Sequence, residues 1–199
     1  MRLIRNRPRG TEGDLLYTDA RGRIKDCDVL MYRGRSWQSQ LIRLVTGAPY
    51  SHAGLAVWWN DRLVVLEAVS RGVMVTPLSR NVRHYDGRVE WFTCVEDISP
   101  SDRQRMVEFA QLELGKAYGT WQAILIGLHH LFGAQGGGGD AFHRARKLVC
   151  SHYVAGVYTL VGRDLKRGSS DRFTAPGDLA RSPLLRRMGA LRKSPERAL

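Results

Sequence analysis

Cysteine is scarce in this sequence of 199 residues. The three cysteines, at positions 27, 94 and 150, lie far apart, are odd in number and form no CxxC pair. A disulfide framework or a zinc site therefore does not fit the sequence, because both need organised sets of cysteines. This cysteine usage indicates a reducing setting, or one in which free thiols persist.

Long hydrophobic runs are also absent, although hydrophobic residues make up 43% of the chain and can form a core. The most apolar stretch, "WQAILIGLHHLFGA", is interrupted by two histidines and is too short to span a bilayer. The N-terminal "MRLIRNRPRGTEGD" is basic but has no apolar segment of a secretory signal. We expect a soluble protein that is cytoplasmic, or that is delivered in a particle or by lysis.

Motifs for metals, phosphates and dinucleotides are missing as well. The sequence contains no HExxH, no P-loop and no dinucleotide fingerprint. His129 and His130 are adjacent, so they would point to different faces of a helix and make a poor metal site. We therefore predict neither a metal nor a cofactor.

Acidic residues are outnumbered by basic ones, and the formal net charge is +12. Such a charge favours anionic partners, namely nucleic acid, anionic lipid or acidic wall polymers. No basic patch alternates with aromatic residues, so no specific nucleic acid is predicted. Much of the positive charge lies near the two ends, which either bind an anionic surface or a larger assembly or are simply solvated.

The hydrophobic pattern predicts an α+β protein with an antiparallel sheet packed against helices. Strands are predicted at 27–32, 50–59, 63–69, 72–78 and 88–96, and helices at 36–47, 99–115, 120–133 and from about Cys150 to Gly162. Ser36 and Ser99 have the positions of helix N-caps. A basic N-terminal arm over 1–25 and a basic tail over 186–199 would flank one domain over 26–185.

Two polar residues, His52 and Glu67, lie inside strands that are otherwise apolar. If Asn60–Asp61 form a two-residue turn, paired positions sum to 121 and Gly54 faces Glu67. His52 and Glu67 are then diagonal neighbours on one sheet face. A buried carboxylate needs a partner, and the histidine is a natural one. A purely structural buried ion pair is the alternative.

Cys150 lies in "KLVCSHYVAGVY", where the apolar spacing indicates a buried helix. A helix N-terminus and a nearby imidazole would both lower the pKa of its thiol and favour the nucleophilic thiolate. The alternative is a cysteine that merely packs in the core. Tyr50, Ser51 and Ser151 are candidates to line the substrate pocket or to bind an oxyanion, and strand packing is the alternative for the first two.

Several blocks of the sequence resemble the circularly permuted papain-like amidases, the YiiX/YebB-like relatives of the NlpC peptidases and of lecithin retinol acyltransferase. They are "CDVLMYRGRSWQSQLIRLVTGAPYSHAGLAV", "LEAVSRGVMVTPL", "LGKAYG", "LVCSHYVAGVY" and "APGDLARSPLL", which span about residues 26–185 in the family's order. The resemblance implies a permuted papain-like, NlpC-type fold. It also implies a triad in which the strand histidine comes first and the cysteine last, here His52, Glu67 and Cys150.

The chain departs from the family pattern at two places. Family members often have Gly before the Asp of the first strand, where this chain has Cys27–Asp28. The residues after the family's cysteine often read Ser-Glu, whereas here they are Ser151–His152. Neither departure removes a residue of the predicted triad.

The resemblance implies a cysteine hydrolase that cleaves an amide or ester bond through an acyl-thioester on Cys150. His52 would act as the base and Glu67 would orient it. A cell-wall peptide or a lipid would be the substrate. Two alternatives stay open: an acyltransferase of the same fold, and an accessory structural module of a larger assembly such as a phage particle.

Overall fold

A seven-stranded sheet organises the part of the protein that the structure describes. The computed structural model describes residues 13–69, 72–115, 150–165 and 174–193. The strands lie side by side in the order β1-β7-β6-β2-β3-β4-β5. Their bounds are β1 Asp14–Leu16, β2 Val29–Gly34, β3 His52–Trp59, β4 Arg62–Val69, β5 Gly72–Pro77, β6 Gly87–Cys94 and β7 Leu185–Arg192. With the helices below, this sheet confirms the predicted α+β class, and all five predicted strands are present.

The sheet is antiparallel except at one edge, where β1 pairs with β7 in parallel. Both of these strands were absent from the prediction. β1 lies within the predicted basic arm over 1–25, and β7 covers the first half of the predicted tail over 186–199. The folded part of the chain therefore extends beyond 26–185 at both ends. Ion pairs of Asp14 with Arg88 and Arg192 join the added strands to the sheet.

Three of the predicted helices are present close to their predicted positions. The described extents of the helices are α1 Tyr17–Ala20, α2 Trp37–Thr46, α3 Leu78–His84, α4 Pro100–Leu112, α5 over 150–159 and α6 Pro176–Arg181. Ser36 and Ser99 cap α2 and α4, since each side chain accepts a hydrogen bond from the backbone N–H three residues later, that of Ser39 and of Asp102. The short helices α1, α3 and α6 were not predicted, and the helix predicted over 120–133 lies outside the described residues.

Each face of the sheet is covered by its own set of helices. Helices α4 and α5 pack on one face, where Met106 and Val154 are fully buried. The opposite face packs against α1 and α3 through Ala20 and Leu78. No helix in the described parts of the chain is long and apolar enough to cross a membrane.

The β3–β4 hairpin has the predicted register. Trp59 pairs with Arg62, and the ladder continues to Leu55 opposite Leu66, so paired positions sum to 121. The turn consists of Asn60 and Asp61, and Asn60 adopts a left-handed φ of 52°, which asparagine tolerates. The two-residue turn therefore places His52 and Glu67 on the same face of the sheet.

Cys27 occupies a backbone conformation that favours glycine. Its φ is 59°, while its side chain is fully buried in the core. Both backbone groups are fixed, because its N–H donates to the Ala56 carbonyl and its carbonyl accepts from the Tyr158 hydroxyl. The departure from the Gly-Asp family pattern at this position therefore places a side chain on strained backbone.

We expect Cys27→Gly to be at least as stable as Cys27→Ala in urea unfolding. Both variants lose the buried sulfur, but only glycine relieves the left-handed strain of about 1–2 kcal/mol. This order is opposite to the usual one, in which glycine is less stable than alanine by about 0.5–1 kcal/mol. Ala110→Gly, in the regular helix α4, is the control and should lower stability. A clearly more stable Cys27→Ala protein would contradict the strain.

Candidate functional site

His52 and Glu67 form the centre of the site. The His52 Nε2 atom lies 2.8 Å from the Glu67 Oε2 atom. Their side chains are 22% and 14% exposed, so the pair is largely buried but still reachable from solvent. Since Glu67 engages Nε2, Nδ1 is the ring nitrogen left for another partner.

Glu67 is held from a second side by α3 and β5. Asn81 donates a 2.8 Å hydrogen bond to the Tyr32 hydroxyl and lies 3.5 Å from the Glu67 Oε1 atom. Thr76 also hydrogen-bonds the carboxylate. Burial alone would raise the pKa of Glu67, but His52, Asn81 and Thr76 together lower it. The carboxylate is therefore charged and fixed in orientation at neutral pH.

The ring of His52 is also held by an aromatic neighbour. Tyr32, directly opposite His52 in the β2–β3 ladder, places its ring centroid 5.2 Å from that of the imidazole at a tilt of 46°. Tyr85 packs edge-on against Tyr32 from behind. His52 is thus oriented by a carboxylate and by an aromatic wall, which together restrict its rotation.

Cys150 reaches this pair from helix α5, which packs on the opposite face of the sheet. It is the first described residue of α5 and is only 1% exposed. Its thiol hydrogen-bonds the His52 ring and the backbone of Ala53, the residue after His52. The contact occurs at the start of β3, where the Cys150 side chain from one face of the sheet meets the His52 imidazole of the other face.

The thiol and the imidazole shift each other's protonation. Burial would raise the pKa of Cys150, but the charge and hydrogen bond of His52, the Ala53 backbone and the Ser151 hydroxyl lower it. Burial would likewise lower the pKa of His52, yet Cys150 and Glu67 raise it to about 10. Each charge therefore stabilises the other, which favours the thiolate and the imidazolium relative to an isolated buried thiol and an isolated buried imidazole.

Cys27 and Cys94 show what burial does without such a partner. Both are buried and, like Cys150, outside any disulfide bond. Burial raises the pKa of each, and their charged neighbours do not reverse the effect. Of these three buried cysteines, Cys150 is the one whose pKa is lowered. Since all three are buried, the cause is the neighbouring imidazole of His52 and not a difference in solvent exposure.

The three predicted oxyanion candidates have different surroundings. The Tyr50 hydroxyl donates a 2.7 Å hydrogen bond to buried Glu90. The Ser51 hydroxyl donates to the Tyr32 carbonyl and accepts from the Gly34 N–H. Both hydroxyls are thus engaged within the protein. Ser151, which is fully buried, lies beside Cys150 with its Oγ atom 3.9 Å from the Cys150 sulfur.

Sequence reasoning missed Asn81, Thr76 and Tyr32. The available signal for α3 was the four-residue spacing of the apolar Leu78 and Val82. Both side chains pack on the sheet, and this packing turns Asn81 toward Glu67. A seven-residue helix gives too short a pattern to be distinguished from a loop. His152, two residues after Cys150 in the chain, is partly exposed.

No metal centre is formed by the described residues. Groups of three or more His, Cys, Asp or Glu side chains that could hold a metal ion do not occur among them. The donors at the site are one thiol, one imidazole and one carboxylate, and they are engaged with one another. This set is suited to transferring a proton between sulfur and nitrogen.

Comparison with known proteins relates the chain to one family. Residues 11–123 match the sequence model of a family described as permuted papain-like amidase enzymes, YaeF/YiiX, C92 family. The match covers more than half of the chain and includes His52 and Glu67. The chain is also 35% identical over 92 residues to the uncharacterized protein YiiX of Escherichia coli strain K12. That alignment covers 46% of this chain and 45% of YiiX, so the matched part spans less than half of the relative.

A solved structure shares the fold. The crystal structure described as metalloprotein yiiX from Escherichia coli O157:H7 superimposes with a TM-score of 0.61 and covers 82% of this chain and 96% of that chain. At 21% sequence identity the likeness concerns the fold alone. It confirms the predicted permuted papain-like architecture.

We expect Gly54→Ala to disrupt the His52–Glu67 pair. A Cβ atom at position 54 would lie 2.8 Å from the Val65 side chain, 3.1 Å from the Leu66 carbonyl and 3.3 Å from the Glu67 Cβ. Because backbone must move to relieve these contacts, the free energy of unfolding should fall by about 1–3 kcal/mol. Alkylation of Cys150 at neutral pH should slow at the same time.

Gly156→Ala, on α5, is the matched control, because nothing lies within 4 Å of its added Cβ. It should be neutral or stabilising by up to about 1 kcal/mol and leave Cys150 reactivity unchanged. Equal behaviour of the two variants in urea unfolding would contradict the close packing of Gly54 against β4.

Asn81→Ala should slow alkylation of Cys150 without unfolding the protein. It removes the donor shared by Tyr32 and Glu67, so the carboxylate becomes less well oriented and its pKa rises. We expect the rate with iodoacetamide at neutral pH to fall about threefold to tenfold, in line with about 1 kcal/mol for one hydrogen bond. Asn81→Asp should slow the reaction further, since two carboxylates would repel.

The control for this series is Gln104→Ala on α4, whose side chain bonds only to exposed Glu108 among the described contacts. Unchanged rates in both Asn81 variants, with intact folding by circular dichroism, would show that Asn81 does not position Glu67.

Proposed function

Because the chain belongs to the YaeF/YiiX family of permuted papain-like amidases, we propose that it is a cysteine hydrolase acting on an amide or ester carbonyl. Family membership supports a hydrolase of the papain-like clan. A nucleophilic role for Cys150 is supported by the contact of its thiol with the His52 imidazole, which is itself bound by Glu67. This order of groups is the one that activates a nucleophilic sulfur.

The reaction would start from the thiolate–imidazolium pair. The Cys150 sulfur would attack the carbonyl carbon and form a tetrahedral intermediate. As the intermediate collapses, His52 would donate its proton to the leaving amine or alcohol, leaving an acyl-thioester on Cys150. His52 would then take a proton from water, whose oxygen attacks the thioester and releases the carboxylic acid. Glu67 would hold the imidazole and stabilise its positive charge throughout.

The oxyanion would be bound next to the nucleophile. The backbone N–H of Cys150 is our first donor, and the adjacent Ser151 hydroxyl is the nearer of the side-chain candidates. We assign Tyr50 and Ser51 to supporting roles, because their hydroxyls already serve Glu90 and the β2 backbone. Tyr50 would shape the neighbouring wall by packing edge-on against Phe92.

We propose a peptide-type amide as the substrate, with cell-wall peptides as the class to test first. Lipid esters are the alternative, and both follow from the resemblance rather than from the geometry of the described residues. The release step separates hydrolysis from acyl transfer, because the same thioester can react with water or with another nucleophile.

Trapping the acyl-thioester tests this function. With p-nitrophenyl butyrate as probe, mass spectrometry of the intact protein and its peptides should find a butyryl group on Cys150, and Cys150→Ala should abolish both adduct and turnover. His52→Ala should lower the acylation rate by at least about a hundredfold, the scale of general acid–base catalysis. Stem peptides and lipid esters are then compared as substrates of the wild-type protein.

Cys94→Ala is the control, since it removes a buried thiol without an imidazole partner. It should retain acylation and turnover. Turnover that survives in Cys150→Ala, or an adduct found on another residue, would contradict the proposal, and so would a wild-type protein that forms no adduct with any probe.

A further inference from the structure

A cavity of about 280 Å³ lies at the Cys94 end of β6. Tyr32 pairs with both His52 and Val89, so the candidate catalytic site is at the Val89 end of β6. The cavity lies at the other end of this strand, beside Thr93 and Cys94. It is thus a separate feature of the fold.

Basic side chains outnumber acidic ones in the lining of this cavity. Four basic side chains surround it, contributed by the segment before β2, by α4 and by β7: Arg23, Lys25, Arg103 and Arg186. Two acidic side chains, Glu96 and Asp97, also line it, and Glu96 is paired with Arg163 at 3.0 Å. The balance of charge around the opening is therefore positive.

Two of the four cations are held in place. Arg103 bonds the Asp26 carbonyl and lies 3.7 Å from the fully buried carboxylate of Asp28. The guanidinium of Arg23 lies 5.5 Å from the centroid of the Trp91 ring. Lys25 and Arg186 are exposed and have no acidic partner within 4 Å among the described residues. The cavity thus combines fixed cations with two that are available to a ligand.

The folding of the chain ends explains how these charges meet. Arg23 and Lys25 belong to the segment that the sequence predicted as a basic arm, and Arg186 begins the predicted basic tail. Because β7 pairs with β6, Arg186 is placed opposite Thr93 at the cavity wall. Like charges gathered around a concave surface repel each other until an anion neutralises them, and a cleft concentrates their field.

We propose that this cavity binds a small, multiply charged phosphate anion. The forked guanidinium groups of arginine match phosphate oxygens, and a lysine adds a point charge. The volume holds a phosphate or pyrophosphate group with a small organic substituent, whereas a polymer would have to follow a groove. This site would recognise its anion independently of the thiol chemistry at Cys150.

Calorimetric titration of the full-length protein with inorganic pyrophosphate, at physiological ionic strength, tests the site. We expect saturable binding at one site, weakened at least about fivefold by Arg186→Gln and by Lys25→Gln, because each removes a charge-assisted contact. Arg62→Gln and Lys193→Gln are matched controls, since both residues are exposed and lie outside the cavity lining. They should leave the affinity within about twofold, as expected for charges screened at this ionic strength.

Several outcomes would overturn the proposal. These are the absence of saturable binding, an equal loss in the control variants, and binding to phosphatidic-acid vesicles without binding of soluble pyrophosphate. Loss of binding in His52→Ala but not in Arg186→Gln would place the anion at the thiol site instead. Arg186→Gln should keep the wild-type alkylation rate of Cys150, so a failure of this proposal is distinct from a failure of the proposed hydrolase.

Discussion

The two-residue turn at Asn60–Asp61 is the constraint on which the site depends. It sets the β3–β4 register, and the side chains of a strand alternate between faces. A slip of one residue would move Glu67 to the other face and leave His52 without its carboxylate. The same register brings Gly54 against β4, where no side chain fits. Backbone geometry far from the thiol thus determines whether the imidazole is oriented.

The charge pair of Cys150 and His52 is the second determinant, and it depends on burial as much as on proximity. Burial opposes the charged form of both groups, as Cys27 and Cys94 illustrate for a thiol. In the pair, each charge stabilises the other, and Glu67 adds a third. Such a pair is stable only when all partners are present, because one buried charge left alone is costly. The hydrogen bonds around Glu67 therefore contribute to the reactivity of a sulfur that they do not touch.

Much of this arrangement follows from sequence, for identifiable reasons. The hairpin was predictable because a short polar turn separates two apolar strands, and the helix caps because Ser36 and Ser99 precede helical patterns. Strands β1 and β7 were not: β1 has only three residues, and the arginines of β7 indicate a solvated segment until Glu90 and Asp14 pair with Arg187 and Arg192. Asn81 was missed because its role depends on where a seven-residue helix docks. The triad's catalytic role is still a prediction, and the contacts reported above are its physical basis.

The most direct test of the account is the alkylation rate of each cysteine as a function of pH, followed by mass spectrometry in the wild type and in His52→Ala. All three thiols are buried, so accessibility alone does not favour Cys150. Because the pKa of Cys150 is lowered, its reaction should persist well below pH 8 and decline only as pH falls through that lowered pKa. This advantage should disappear in His52→Ala, while Cys27 and Cys94 stay slow in both proteins. A Cys150 as slow as the other two, or one unaffected by loss of His52, would contradict the thiolate–imidazolium pair.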